Sequence, residues 1–281
     1  MFSEKFFNRQ IDKALENAQL IDASLHRRIV LFSDCHRGCG NWSDSFLPNK
    51  TIYEAALTYY YNNDFTYIEL GDGDELWENR RFADIAEVHS DIFDMLRRFA
   101  DAGRLFMLWG NHDRTKSRPG GLIPSMPVPA EGLIIGPGDG SGHGRCHLIH
   151  GHQVDPLNNQ LWKLSRWLVR YLWRPLELCG FRDPTSTAKN YDKGKKVEQR
   201  LTAWCQTNSA CLVAGHTHRP VLTETHANWR YCNTGSCVHP NTITCIEIDR
   251  GQISLIKWAT CADARQYVHV CRHVIGGPYE M

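Results

Sequence analysis

The sequence predicts an α/β protein with a sheet core. Three observations carry this. Short apolar runs of strand length recur along the chain, and segments with helical periodicity stand between them. Five of the apolar runs also stop at Gly, Asp or His, with metal-capable residues next. Open α/β sheets place their ligand sites beyond the carboxyl ends of the strands, so this order gathers polar chemistry at one edge.

In chain order, Ile11, Ala14, Leu15 and Ala18 recur at helical spacing and predict an amphipathic N-terminal helix. Arg28 to Ser33 reads as a buried strand, Thr51 to Asn62 as a helix, and Thr66 to Leu70 as a β-branched and aromatic strand. Ile85 to Ala102 reads as one helix, with Ile85, Val88, His89, Ile92, Met95, Leu96 and Phe99 on one face. Arg104 to Trp109 is a third strand. The Gly- and Pro-rich stretch Lys116 to Gly144 reads as loop around the short run Leu133 to Ile135. Cys146 to Ile149 is a fourth strand. Helical spacing then returns in Pro156 to Trp173, a polar stretch runs from Arg182 to Lys196, and a helix follows from about Val197 to Gln206. Ala210 to Ala214 is the fifth strand, and three more are read near Trp229 to Cys232, Thr242 to Ile248 and Gln252 to Trp258.

The 281 residues suit one α/β domain carrying an insertion, and a chain of this length buries a sizeable core without disulfides. A formal net charge of +1 gives no global field toward nucleic acid or acidic lipid. The eleven cysteines form no C-x-x-C pair and match no zinc or redox spacing. They are read as reduced, small buried hydrophobes, as expected of a cytoplasmic protein. The N-terminus lacks the apolar run and cleavage pattern of a signal peptide.

The chemistry lies in the strand-end segments Asp34-Cys35-His36, Gly71-Asp72, Gly110-Asn111-His112-Asp113, His150-Gly151-His152 and Gly215-His216-Thr217-His218. On an extended segment, Asp34 and His36 would share one side, as would His216 and His218. Carboxylates beside imidazoles form the mixed oxygen and nitrogen set that suits first-row metals rather than calcium. Neighbouring glycines allow tight turns and close backbone approach to a phosphate. Any one fragment is commonplace; their joint order after successive strands is specific.

That order resembles the calcineurin-like metallophosphoesterase superfamily, whose signature of D-x-H, G-D-x-x-D, G-N-H-[DE], a strand-terminal His and G-H-x-H is met here by DCH, GDGDE, GNHD, IHGH and GHTH. The resemblance covers about Val30 to Pro220. It implies a four-layer αββα sandwich: a single domain over 1–281 with a helical insertion, or lid, over 155–206. It implies two divalent metal ions, with manganese first and Fe, Zn, Co or Ni as alternatives. Asp34, His36 and His218 would hold one, Asn111, His150 and His216 the other, and Asp72 both. His112 would stand beside the scissile phosphate and Asp113 would orient it, in a hydrolysis by metal-activated hydroxide. Asp74 and Glu75 are read as lying outside the ligand set, and His150 is preferred to His152 as the ligand by its place after the strand.

The GD-x-x-[DE]-LW pattern and the closing GHTHRP look like the UDP-2,3-diacylglucosamine pyrophosphatase branch, although His112 stands where that branch carries Arg. A phosphodiester or pyrophosphate substrate, nucleotide-linked or lipid-like, follows from that likeness. A nuclease or cyclic-nucleotide phosphodiesterase on the same site is the alternative, and a non-catalytic scaffold the more distant one. In the insertion, Lys163, Arg166, Arg170 and Arg174 form a basic stripe, with Trp162, Trp167, Trp173 and several leucines on the other faces. Such a helix either packs on the domain with a solvated basic edge or meets an amphiphilic substrate or membrane surface. Arg37, Arg80 and Arg114 are the candidates to grip a substrate phosphate, with Arg81 and Arg219 also near motif segments.

Overall fold

The computed structural model describes residues 2–41, 43–118, 126–138, 144–173, 190–224 and 228–281. Among the described residues, twelve strands form two six-stranded sheets. The first sheet has the order β1 (Gln19–Asp22), β5 (Gly132–Gly136), β6 (Cys146–Ile149), β7 (Cys211–Ala214), β9 (Arg230–Thr234), β8 (Pro220–Leu222). The second has the order β12 (Val268–Glu280), β11 (Gln252–Ala262), β10 (Thr242–Asp249), β2 (Arg28–Phe32), β3 (Thr66–Leu70), β4 (Leu105–Leu108). Strands β2, β3 and β4 run parallel. Between them pass α2 (Lys50–Asn62) and the pair α3 (Phe82–Val88) and α4 (Ser90–Asp101), the crossovers that parallel pairing requires.

The period of two in β2 sorts its side chains between two cores. Ile29 and Leu31 pack between the sheets with Ile68, Leu70, Leu133, Leu148 and Val213. Val30 and Phe32 face the other way, against Tyr53, Ala56 and Tyr60 of α2 and Leu96 and Phe99 of α4. On the far side, α1 (Glu4–Leu15) and α6 (Tyr191–Asn208) cover the first sheet through Phe7, Ile11, Val197, Leu201 and Trp204. The architecture is the four-layer αββα sandwich. Buried on both faces, β2, β3 and β7 read as largely apolar runs for this reason.

Several elements differ from the sequence reading. The helix expected over Ile85 to Ala102 breaks at His89 (φ −111°, ψ 33°), whose fully buried ring meets Asp44 at 3.0 Å. Helix α1 stops before Ala18, and β1 follows; only Ile21 of β1 is buried, which leaves no alternation to read. Strand β12 was not read because none of its residues is buried and Gly276-Gly277-Pro278 interrupts its pattern. Within Pro156 to Trp173, regular α-helix covers only α5 (Trp162–Leu168) and continues as a π-helical turn through Val169–Trp173. Helix α6 begins at Tyr191, before the expected start. Arg174, most of the polar stretch Arg182 to Lys196, and parts of the loop Lys116 to Gly144 lie outside the described residues.

Candidate active site

The parallel strands β2, β3 and β4 end side by side in one sheet, and β6 and β7 in the other. The chain turns sharply as it leaves them. Asp34 (φ 52°), His36 (49°), Asp72 (50°), His216 (68°) and His218 (56°) all adopt the left-handed region, which non-glycine residues enter at a cost. The segments are therefore not extended, as alternation had suggested. The side chains converge because the backbone coils back on itself. Two glycines are needed here. Gly71 (φ 91°) leaves no room for a Cβ against His150 Nδ1, 2.7 Å away. A Cβ on Gly110 would lie 2.1 Å from Asp72 Oδ1.

Two donor sets result. Asp34, His36 and His218 form one, and Asp72, His150 and His216 the other, with ligand atoms within 4.8 Å of one another in each. His218 Nε2 lies 3.1 Å from Asp34 Oδ1 and 3.2 Å from His36 Nε2, and His150 Nε2 lies 3.2 Å from Asp72 Oδ2. His36 Nε2 is 4.0 Å from Asp72 Oδ2, and His150 Nε2 is 4.0 Å from Asp34 Oδ1, so the two sets adjoin through their carboxylates. Four of the donors are oriented from behind. His150 Nδ1 donates to the Leu70 carbonyl at 2.9 Å; a carbonyl only accepts, so Nε2 keeps its lone pair. His36 Nδ1 meets Glu75 Oε2 at 2.9 Å, and His216 Nε2 meets Asp155 Oδ2 at 3.3 Å. Asp34 Oδ2 is engaged by the His216 N–H at 2.9 Å and by the Ser33 hydroxyl.

His112 stands beside both sets. Its N–H donates to Asp72 Oδ1 at 2.8 Å, its ring stacks on Trp77 with centroids 4.2 Å apart, and its Nδ1 meets the Glu75 carboxylate at 2.8 Å. Burial disfavours its charged form, but Glu75 and Asp72 outweigh that and hold it above the ordinary imidazole range. Glu75 thus bridges His36 and His112. The Asp113 carboxylate makes no hydrogen bond to the His112 ring. It instead accepts the N–H groups of Gly110 at 2.7 Å and Gly73 at 3.0 Å, tying the loops after β3 and β4 together. The expectation that Asp113 orients His112 is corrected on this geometry.

A sequence profile of the calcineurin-like phosphoesterase family matches residues 27–220. The chain belongs to that family. A search of curated proteins returns no match. Among solved structures, Vps29 of Chaetomium thermophilum is similar at 12% identity over 90% of this chain and 97% of that one, with a TM-score of 0.43. A dimetal phosphatase from Danio rerio is similar at 12% identity over 82% and 95%, TM-score 0.46. A cold-active protein tyrosine phosphatase is similar at 14% identity over 90% and 82%, TM-score 0.42.

The chemistry of this family depends on divalent metal ions, and the donor sets fit them. Asn111 Oδ1 is buried with no hydrogen-bond partner, and Asp34 Oδ1 and His150 Nε2, also buried, touch only fellow members of the donor sets and form no aligned hydrogen bond. Buried polar atoms are rarely left so, and these three belong to the residues already singled out as ligands. Two imidazole nitrogens 3.2 Å apart, as in His36 and His218, also suit a shared cation: donors about 2.1 Å from one ion sit about 3–4 Å from each other. His152 is fully buried behind the second set, 5.5 Å from the His150 ring, and joins neither group.

The arginines fare differently from the sequence reading. Arg37 is fully buried and faces away from the site, with Nε 2.6 Å from Asp74 and Nη2 2.7 Å from Glu69. It is not a substrate residue. It anchors a buried ionic network in which Lys116 also meets Asp74 and, at 2.9 Å, Asp113. Burial works against both the Asp74 carboxylate and the Lys116 ammonium. The opposing charges prevail, drawing Asp74 down to about 2 and Lys116 above the usual lysine range. Glu69, Asp74 and Asp113 could themselves hold a cation, and the Lys116 ammonium fills that role. Asp74 and Glu75 are thus interior residues, and neither lies on the surface. Arg80 is exposed and donates to the Tyr171 hydroxyl at 3.1 Å, and Arg114 is half-buried between the Trp109 and Trp162 rings.

The insertion packs over this edge. Arg170 donates to the carbonyls of Trp77 at 2.7 Å and Leu76 at 2.9 Å, the segment that carries the ring stacked on His112. It is therefore an anchor rather than part of a free basic stripe. Leu161, Leu164, Trp167, Tyr171 and Leu172 remain exposed. Asp155, at the expected start of the insertion, belongs to the site through His216. Asn233, which lies outside the motif segments, donates to Gly215 O at 2.7 Å and steadies the GHTH turn. Among the described residues no helix is long and apolar enough to cross a membrane.

Proposed function

We propose that the chain hydrolyses phosphodiester or pyrophosphate bonds with two divalent cations, manganese first among them. The observation that carries this is the pair of adjoining donor sets with their unpartnered buried atoms, and with His112 beside them. Asp34, His36 and His218 would hold one cation, Asn111, His150 and His216 the other, with Asp72 between them. When bound, the cations supply Lewis-acid activation of the phosphoryl group and of water. The protein does the rest. Glu75 favours the protonated His112 ring, Trp77 fixes its plane, and the ring's Nε2–H is left to pass a proton to the departing oxygen. Asp113 and Lys116 hold the two loops that carry Asp72 and Asn111 in register.

The apolar face of α5 and the π-turn supports a substrate with an apolar tail, as in the nucleotide-linked lipids of the pyrophosphatase branch, or peripheral contact with a membrane surface. The net charge of +1 speaks against nucleic acid as the substrate. A cytoplasmic setting accords with the free thiols.

The test is hydrolysis of bis(p-nitrophenyl) phosphate and p-nitrophenyl phosphate by metal-stripped protein with manganese restored, beside Asp34→Ala and His112→Ala. Manganese-dependent cleavage of the diester, lost in both variants, is expected. Cleavage that persists in Asp34→Ala would sink the reading. The lid is tested with Leu164→Ser/Trp167→Ser, which should lower turnover of a nucleotide-linked diacyl substrate and spare the chromogenic diester. Equal loss on both substrates would exclude a tail-binding lid.

A further inference from the structure

A second group of metal-capable side chains lies away from the strand ends, on the ribbon formed by β11 and β12. Its members are Cys261, His269, Cys271 and His273. The ribbon is antiparallel, with Cys261 opposite His269, Ala259 opposite Cys271, and Trp258 opposite Arg272. Trp258 packs into the core under α2, and Arg272 pairs with Glu247 on that same face. Alternation then sends Cys261, His269, Cys271 and His273 together to the other face. There the Sγ of Cys261 lies 3.4 Å from His273 Nε2, and the Sγ of Cys271 lies 3.2 Å from His269 Nε2. Cys261, Cys271 and His273 have ligand atoms within 4.8 Å of one another.

We infer that Cys261, Cys271 and His273 form a zinc-class metal site independent of the strand-end centre, with His269, in contact with Cys271, as the fourth donor drawn in on binding. Thiolate sulfur about 2.3 Å and imidazole nitrogen about 2.0 Å from one tetrahedral zinc stand roughly 3.5 Å apart, and both sulfur–nitrogen pairs have that spacing. A set of two thiolates and two imidazoles selects a borderline or soft cation over magnesium, calcium or manganese. The tautomer of His269 is already set: its Nδ1 donates to the Tyr267 carbonyl at 3.3 Å, which leaves the Nε2 lone pair facing Cys271. A disulfide fits this geometry less well. The two cysteines are diagonal across the ribbon, where Cα atoms stand about 7–8 Å apart. That is beyond the usual reach of an unstrained bridge. Binding would release the two thiol protons to solvent, and would clip β12 to β11 near the turn that joins them.

The site is tested on the full, reduced chain with cobalt(II) as the probe. Thiolate ligands give an intense sulfur-to-cobalt charge-transfer absorption that the nitrogen and oxygen donors at the strand ends cannot produce. The wild-type chain should show this band and lose it on adding zinc. Asp72→Asn should keep it, because the strand-end centre is not its source. Cys261→Ser/Cys271→Ser should lack the band, retain one zinc equivalent fewer by elemental analysis, and keep phosphodiester hydrolysis. His273→Gln should weaken zinc binding at least about tenfold. Identical spectra and zinc content in the wild type and the double cysteine variant would overturn the inference. So would a Cys261–Cys271 disulfide that persists in reducing buffer with no metal bound.

Discussion

The strand-end centre and the β11–β12 ribbon bring histidines together in opposite ways. At the strand ends the ligands come from five loops, and five of them hold left-handed backbone angles that only dense surroundings maintain. Their donors are buried or nearly so, and carboxylates or a carbonyl orient His36, His150 and His216 from behind. On the ribbon, the candidate ligands sit in ordinary extended strands at or near the surface, and strand register alone aligns them. The first arrangement is preorganised, so the cost of assembling it is met when the chain folds. The second depends on two strands staying paired at the edge of a sheet, where a bound metal would contribute to the pairing itself. The difference teaches where rigidity is placed. It lies under the chemistry, in the network of Arg37, Glu69, Asp74, Asp113 and Lys116, and not along the ribbon.

That contrast can be broken by substitution. Asp72→Asn removes the carboxylate between the two donor sets, and manganese-dependent diester cleavage should fall about 10³-fold or more, since Lewis-acid stabilisation is worth several kcal/mol. Next, Lys116→Met leaves buried carboxylates with one cation fewer. It should destabilise the fold by about 3–5 kcal/mol, read as a lower midpoint in urea or heat. If Lys116→Met unfolds at the wild-type midpoint, the network is not what makes the site rigid. Glu75→Gln keeps the shape but loses the charge shared by His36 and His112. A decrease of about 10–100-fold in metal affinity or turnover is expected, and steady-state kinetics across a manganese titration separates the two. The smallest effect is reserved for the ribbon. Cys261→Ser/Cys271→Ser should leave diester hydrolysis within about twofold, because surface changes remote from a site are close to neutral. A large loss of activity there would tie the two regions together.

Much of the fold was legible because the strands β2, β3, β4, β6 and β7 are short, apolar and punctuated. Their buried faces demand apolar residues on both sides, and each ends where a glycine or ligand must turn. The edge strands β1, β8 and β12 were not legible. They are partly exposed and answer to their neighbours rather than to a pattern of their own. In the same way, the histidines and aspartates of the strand ends announced themselves through motif order, whereas Arg37 looked like a substrate residue. An arginine adjoining a ligand reads the same whether it points out or, as here, into a pocket between Asp74 and Glu69. The cysteines show the same divide. As a set they were read as buried thiols, yet Cys261 and Cys271 are half-exposed and meet across the ribbon.

By itself the sequence determined the alternation of strands and helices, the family, and the order in which oxygen and nitrogen donors arrive at one edge. Each of these is written in neighbouring residues, where local periodicity and short spacings carry the information. Only the tertiary structure decided that Glu75 serves both His36 and His112, that Asp113 binds backbone rather than His112, that Arg37 and Lys116 are interior, and that four Cys and His residues of the ribbon share a face. Those outcomes depend on which distant segments pack together and in what register. That choice is made by burial and pairing across the whole chain, and no short stretch of sequence records it.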